Sequence, residues 1–268
     1  MSTNEKKGKK AEVTALQAIP AEDRKDWISL AFVQAGICVC VPAFLLGALL
    51  AEAMPIWPAI ISGSLGYLIV VAGMVATGMI GCDLGLASCT CCQAGFGKSG
   101  ARFIVSVIFA VNMIGWFGIQ NGVCGEAFSN AMLAMTEWDI PVVVSNTIWG
   151  IIMLLTAVYG VHALEKLDKI SIPLLMVIMC YGTFLAFKIY GTGNLNDEGT
   201  VQSMSFMSGV ALSFNFTAVG TITAPDYTRF QKSRKDTVKS VFYGVFPMGV
   251  ITLIMGIVLT KLSGEYDI

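Results

Sequence analysis

The chain has 268 residues, of which 55% are hydrophobic and 13% charged, with a formal net charge of −1. A soluble domain carries roughly 25% charged residues, so this composition excludes an ordinary soluble fold and places the chain in a bilayer. A helix needs about 20 mostly apolar residues to cross the hydrocarbon. Seven segments meet that need, over 27–51, 57–80, 102–134, 141–161, 167–188, 204–222 and 239–261, and they predict an all-α polytopic membrane bundle.

The first 25 residues are polar and rich in lysine, with no apolar core of a cleaved signal. The expectation is a disordered cytoplasmic tail over 1–25 followed by one membrane domain over 26–268. With seven alternating spans, fifteen of the 17 Lys and Arg residues fall on one side and only Lys188 and Lys261 on the other. Positively charged loops stay cytoplasmic, so the N-terminus is expected inside a multi-pass protein of the cell membrane. The basic loops suit anionic lipid rather than nucleic acid.

In the first span, Pro42 removes a backbone donor and clashes with the preceding turn, which predicts an opened helix. After the second span come Cys89, Cys91 and Cys92, with Cys82 upstream. On a cytoplasmic face such thiols stay reduced and act as small hydrophobes; reversible acylation is the second reading.

The third span places Asn112, Trp116 and Gln120 at i, i+4 and i+8, on one helical stripe flanked by Ile119 and Val123. An indole face stacks on planar rings, and a carboxamide offers a donor beside an acceptor. The pair suits a heterocyclic amide such as a pyrimidine, purine or hydantoin. It equally suits helix packing and cross-helix hydrogen bonding. Gly115, Gly118, Gly122 and Gly125 read as packing residues, and Glu126 as a residue at the external rim, with a proton-relay role as the alternative.

The only histidine, His162, is expected in a cytoplasmic loop beside Glu165. The sixth span, with Asn215, Thr217, Gly220 and Thr221, is short and polar and is expected to unwind. Asp226 and Arg229, three residues apart at its end, can pair as a helix-end anchor or as part of an inner gate. Irregular backbone at membrane depth lines a cavity or is buried in protein, and interrupted spans at corresponding places in two halves point to a transporter's binding site. Spans one and six stand in that relation.

Three motifs together, "GWFGIQNG" (115–122), "YGVHALEKLDKISIP" (159–173) and "GTITAPDYTRF" (220–230), resemble the nucleobase:cation symporter family, cytosine and purine permeases above all. The resemblance implies a leucine-transporter-type inverted-repeat fold of about twelve spans, of which this chain carries the first seven, and so an apparent truncation after the seventh. It implies secondary transport of a nucleobase or related heterocycle, cytosine-, purine- or hydantoin-like, by alternating access with Na⁺ or H⁺ as coupling ion, no other cofactor and no enzymatic activity.

By the same resemblance, Trp116 stacks on the base and Phe216 closes its other side. Asn215 and Thr217 offer polar groups to its edge, and Ala218 stands where cytosine-carrying members have serine. Gln120 resembles the hydantoin-carrying branch. Backbone carbonyls of Gly36 and Cys40 correspond to the family's sodium site, whose remaining hydroxyls come from an eighth span; two carbonyls alone bind Na⁺ poorly, so a chain ending here is expected not to couple to it. A non-transporting binding or regulatory fragment is the alternative function, and the oligomeric state is left open.

Overall fold

A computed structural model describes residues 16–158, 161–192, 195 and 204–264, with the side chains of 161–164 excepted. The first span is two helices, α1 (Trp27–Cys38) and α2 (Val41–Ala53), bent by 51°. Pro42 lies in the first turn of α2, where no backbone donor is needed. Its ring has no N–H for the Cys38 carbonyl four residues earlier, so α1 stops there and Val39 and Cys40 take non-helical dihedrals.

The second span is α3 (Ile56–Leu84), closed by Gly85 at φ 66°. A four-residue helix, α4 (Ser88–Cys91), and α5 (Gln93–Gly100) lead through a π-helical turn at Ala101–Val105 into α6 (Ser106–Thr136). Then follow α7 (Val142–Val158), α8 (Val161–Tyr190), α9 (Phe206–Thr217), α10 (Val219–Thr228) and α11 (Arg234–Ser263). Among the described residues, five helical segments are long and apolar enough to cross a membrane, the α1–α2 pair makes a sixth, and α7 is a shorter apolar helix. The seven expected spans fall on these segments.

Two bodies organise the bundle. The central one joins α1, α2, α3, α9, α10 and α11 around Leu46, Leu50, Tyr67, Val70, Met74, Val241, Leu253 and Ile257. Small residues bring its backbones close: Gly256 lies so near the Phe44 carbonyl that no Cβ fits, and at Gly66 a Cβ would meet that of Ser213 at 2.6 Å. The second body is the α6–α7 pair, joined by a buried hydrogen bond between the Ser129 and Ser145 hydroxyls at 2.8 Å and by Gly125 against Asn146. Most of α6 outside Gly125 and Ser129 is not buried.

Four sequence expectations change. The sixth span does not unwind: α9 and α10 meet at Ala218, which keeps right-handed helical dihedrals. Hydroxyls meet the backbone carbonyls there, with Thr217 donating to Ser213 at 3.0 Å and Thr77 of α3 donating to Thr221 at 2.6 Å, so the polar residues hold the helix together. The tail is ordered before residue 26. Residues 1–15 lie outside the described residues, but Ile19 is buried with Leu30 and Phe230, its N–H donates to the Gly85 carbonyl at 3.0 Å, and Lys25 N–H donates to the Phe230 carbonyl at 2.6 Å. Of the four glycines read as packing residues in α6, only Gly125 meets a neighbour; a Cβ at Gly115, Gly118 or Gly122 would face open space. His162 is in the first turn of α8, not in a loop.

Candidate functional site

The one-residue junction at Ala218 lets α9 and α10 carry one stripe of residues across it. Phe216, Gly220, Thr223 and Tyr227, at intervals of four, three and four, line a chamber of about 330 Å³. Opposite them stand Met113, Trp116, Phe117 and Gln120 of α6, and Ile37 and Cys38 at the end of α1. Met74 of α3 and Val245 of α11 complete the wall. The chamber therefore lies beside the α1–α2 break, between the central body and the α6–α7 pair.

Trp116 and Phe216 meet edge to face, with ring centroids 5.3 Å apart and planes at 83°. Beyond Trp116 lies a second cavity of about 270 Å³, lined by Ile108, Phe109, Asn112, Asn215, Ala218 and Ile222 among others. The expected site residues are thus divided. Trp116, Gln120, Phe216 and Thr217 share the first chamber, whereas Asn215 and Ala218 line the second, together with Asn112. Trp116 belongs to both.

Polar groups in the first chamber are few. The Gln120 carboxamide is the amide among them. The hydroxyls of Thr217 and Thr223 donate to the carbonyls of Ser213 and Val219 at 3.0 and 3.1 Å, which leaves their oxygens able to accept. Tyr227 is the residue that sequence reasoning missed. Its signal was present as helical periodicity from Phe216, which the expectation of an unwound span concealed.

Gly36 and Cys40 flank the break. The last backbone bond of α1 runs from Val39 N–H to the Ala35 carbonyl at 2.9 Å, so the Gly36 carbonyl lies at the open end of the helix. The Cys40 carbonyl instead starts α2 and accepts from Ala43 and Phe44 at 3.1 and 3.3 Å. One of the two expected cation-binding carbonyls is therefore already engaged. Among the described residues, no group of three or more His, Cys, Asp or Glu side chains is placed to hold a metal ion.

At the end of the bundle that carries Arg24, Lys25 and Arg229, here the basic end, side chains tie the elements together. The Asp226 carboxylate accepts from Ser88 N–H of α4 at 3.1 Å, and Arg229 Nε donates to the Asp226 main-chain carbonyl at 3.2 Å. The Arg229 guanidinium lies 4.8 Å from the Phe230 ring centroid. Glu165 of α8 pairs with Lys25 and, at 2.8 Å, with Lys169. Lys232 pairs with Asp26, and Arg234 with Asp83, both at 2.6 Å. Glu126 is exposed, and Cys89, Cys91 and Cys92 are free thiols of intermediate exposure.

Comparison with known proteins bears on this geometry. The family described as "Permease for cytosine/purines, uracil, thiamine, allantoin" matches residues 18–268. The cytosine permease of Escherichia coli K12 is 26% identical over 254 residues, covering 93% of this chain and 58% of its own. The purine-uracil permease NCS1 of Arabidopsis thaliana is 26% identical, covering 85% of this chain and 42% of its own. The allantoin permease of Bacillus subtilis is 23% identical, with 91% and 54% covered. The chain thus spans about half the length of the curated relatives it matches.

Among solved structures, Mhp1, a nucleobase-cation-symport-1 family transporter in a closed conformation with bromovinylhydantoin bound, superposes with a TM-score of 0.86 at 17% identity, over 95% of this chain and 59% of Mhp1. Its inward-facing conformation gives 0.77. The fold is accordingly the leucine-transporter-type helical bundle over the part these seven spans cover. With a family match over residues 18–268 and this fold, the chain belongs to the family of permeases for cytosine/purines, uracil, thiamine and allantoin.

Proposed function

We propose that the chain acts in secondary transport of a nucleobase or related heterocycle across the cell membrane by alternating access, coupled to Na⁺ or H⁺, with its N-terminus in the cytoplasm. It is a transporter rather than an enzyme. The observation that carries the reading is the chamber at the α1–α2 break, where an indole face, a carboxamide and a phenyl ring converge in about 330 Å³, near the lower end of the range of about 300–1,000 Å³ for small-molecule sites. The substrates named for the relatives, and the hydantoin named for Mhp1, support a planar heterocycle as the ligand.

In this mechanism the base stacks on Trp116 and exchanges hydrogen bonds with Gln120, while Thr217 accepts from a ring N–H. The central body then rocks against the α6–α7 pair, and α8 opens or closes the basic end through its pairs with Lys25. The division of the core supports this: the two bodies have separate interiors and meet at Trp116 and Phe216. Asp226 and Arg229 serve as an anchor at the inner gate. The lipid bilayer is the surrounding partner, and nucleic acid has no part.

The test is uptake of radiolabelled cytosine, uracil, hypoxanthine, allantoin and a hydantoin into cells lacking their own permeases, alongside equilibrium binding to the purified chain. Saturable uptake of one compound is the expected result. Binding without uptake would sink the transport reading and support a binding fragment, and the absence of both would sink the heterocycle site.

A further inference from the structure

Lys239 of α11 extends over the indole of Trp27, the first residue of α1, with its Nζ 5.9 Å from the ring centroid. That is within reach of a cation–π contact. Trp27 in turn lies 5.8 Å from the Tyr243 ring, and Phe242 lies 5.5 Å from Phe246. An aromatic patch thus joins α1 to α11 and carries one ammonium group over its Trp27 ring. A ring face holds a lysine without cancelling its charge, and the ammonium group keeps donors for an oxygen acceptor.

The neighbouring charges are engaged elsewhere. Lys232 pairs with Asp26 and Arg234 with Asp83, and the Asp236 carboxylate accepts from the Ser233 hydroxyl at 2.9 Å. Among the described residues, Lys235 and Lys239 are in no ion pair, and both are exposed. Lys235, Lys239, Phe242 and Phe246 recur at intervals of four, three and four, on one stripe of α11. The lysines stand toward the basic end. Phe242 and Tyr243 follow one turn deeper and are exposed, as is Ile28 of α1. From Lys235 to Phe246 the helix rises about 16 Å, close to one leaflet, half of the roughly 30 Å of hydrocarbon. The face therefore runs from charged to apolar over the depth of one lipid.

We propose that this face of α1 and α11 is a binding site for one anionic phospholipid, with its phosphate between Lys235 and Lys239 and an acyl chain along Phe242. A free phosphate meets the two ammonium groups but leaves the apolar surface uncovered. A zwitterionic lipid covers that surface but brings a cation of its own toward the lysines. A lipid of net negative charge fits both halves. Trp27 is the positioning residue, since its ring fixes where Lys239 presents its charge, and Tyr243 adds a hydroxyl donor at headgroup depth. Each lysine near an anionic surface contributes about fivefold in affinity, so two favour an anionic over a zwitterionic lipid about thirtyfold. The bound lipid touches both helices and stabilises their packing by mass action.

The test uses the full chain in a neutral detergent. Phosphatidylglycerol and phosphatidylcholine with the same acyl chains are added in competition, and bound lipid is counted by native mass spectrometry. One phosphatidylglycerol per chain is expected, preferred about thirtyfold. In Lys235→Ala/Lys239→Ala the preference should vanish, and in Trp27→Leu it should fall about two- to fivefold, the scale of an exposed cation–π contact. Lys98→Ala/Lys166→Ala removes equal charge from other exposed lysines and should keep the preference. Equal losses in the two double variants would overturn the site in favour of unspecific attraction, and equal retention of both lipids by the wild type would overturn it outright. Displacement of phosphatidylglycerol by inorganic phosphate at constant ionic strength would overturn the lipid reading and leave a phosphate site. Neither base binding nor uptake enters the measurement, so its outcome is independent of the transport reading.

Discussion

The indole of Trp116 and the ring of Phe216 touch edge to face, 5.3 Å between centroids and at 83°. On the proposed reading, a base sandwiched between the two rings would have to part them as it enters. Such an aromatic pair contributes about 0.5–1.5 kcal/mol beyond area burial, a barrier small enough for a bound heterocycle to offset.

Stacking on Trp116 is testable by substitution. Base–aromatic stacking removed by alanine costs about 1–3 kcal/mol, so Trp116→Ala is expected to weaken base binding by roughly 5- to 150-fold, and Trp116→Phe much less. Equilibrium dialysis with labelled base checks this. An unchanged Kd in Trp116→Ala would remove the stacking role.

The division between the two cavities predicts a contrast between two carboxamides. Gln120 lines the chamber, whereas Asn215 lines the cavity beyond Trp116. A hydrogen bond contributes about 0.5–1.5 kcal/mol, so Gln120→Ala should weaken base binding about two- to tenfold and Asn215→Ala less than twofold. Equal losses would place the base across both cavities.

Glycine positions separate packing from open surface. At Gly256 a side chain has no room against the Phe44 carbonyl, and at Gly115 a Cβ meets nothing within 4 Å. Overpacking typically costs about 1–3 kcal/mol. Gly256→Ala is expected to lower the midpoint of thermal unfolding in detergent, and Gly115→Ala to leave it unchanged or slightly raised, since alanine is the better helix former. A Gly256→Ala protein as stable as wild type would show that α2 and α11 can separate freely.

The ion pairs of the basic end should differ in weight. Glu165 and Lys25 are each 14% exposed at their side chains, whereas Lys232 and Asp26 are 52% and 72% exposed. Exposed pairs contribute little, while weakening a pair held largely out of water costs more. Glu165→Gln is expected to destabilise the protein by about 1.5–3 kcal/mol, the scale of a hydrogen bond to a charged group, and to speed proteolysis near α8. Asp26→Asn should do neither. Limited proteolysis and denaturation of both variants decide it.

The seven spans were legible in the sequence because hydrocarbon demands long apolar runs, and the α1–α2 break was legible because proline lacks a donor whatever surrounds it. The Trp116–Gln120 stripe followed from helical periodicity within one element. The continuity of the sixth span was not legible. Whether hydroxyl side chains open a helix or stitch it depends on which carbonyls they reach, and Thr77, which meets the Thr221 carbonyl, comes from α3. The ordered segment before α1 was concealed for the same reason: Ile19 finds its apolar partners on α1 and past α10.

Sequence alone therefore determined the solvent of this protein, its spans, its first break and the chemistry of its aromatic and carboxamide stripe, because these depend on local composition and backbone geometry. Tertiary structure decided that Tyr227 faces the chamber and that Asn215 does not share it with Gln120. Each is a relation between helices, set by where small residues let backbones approach, and such distances are not written in any one segment.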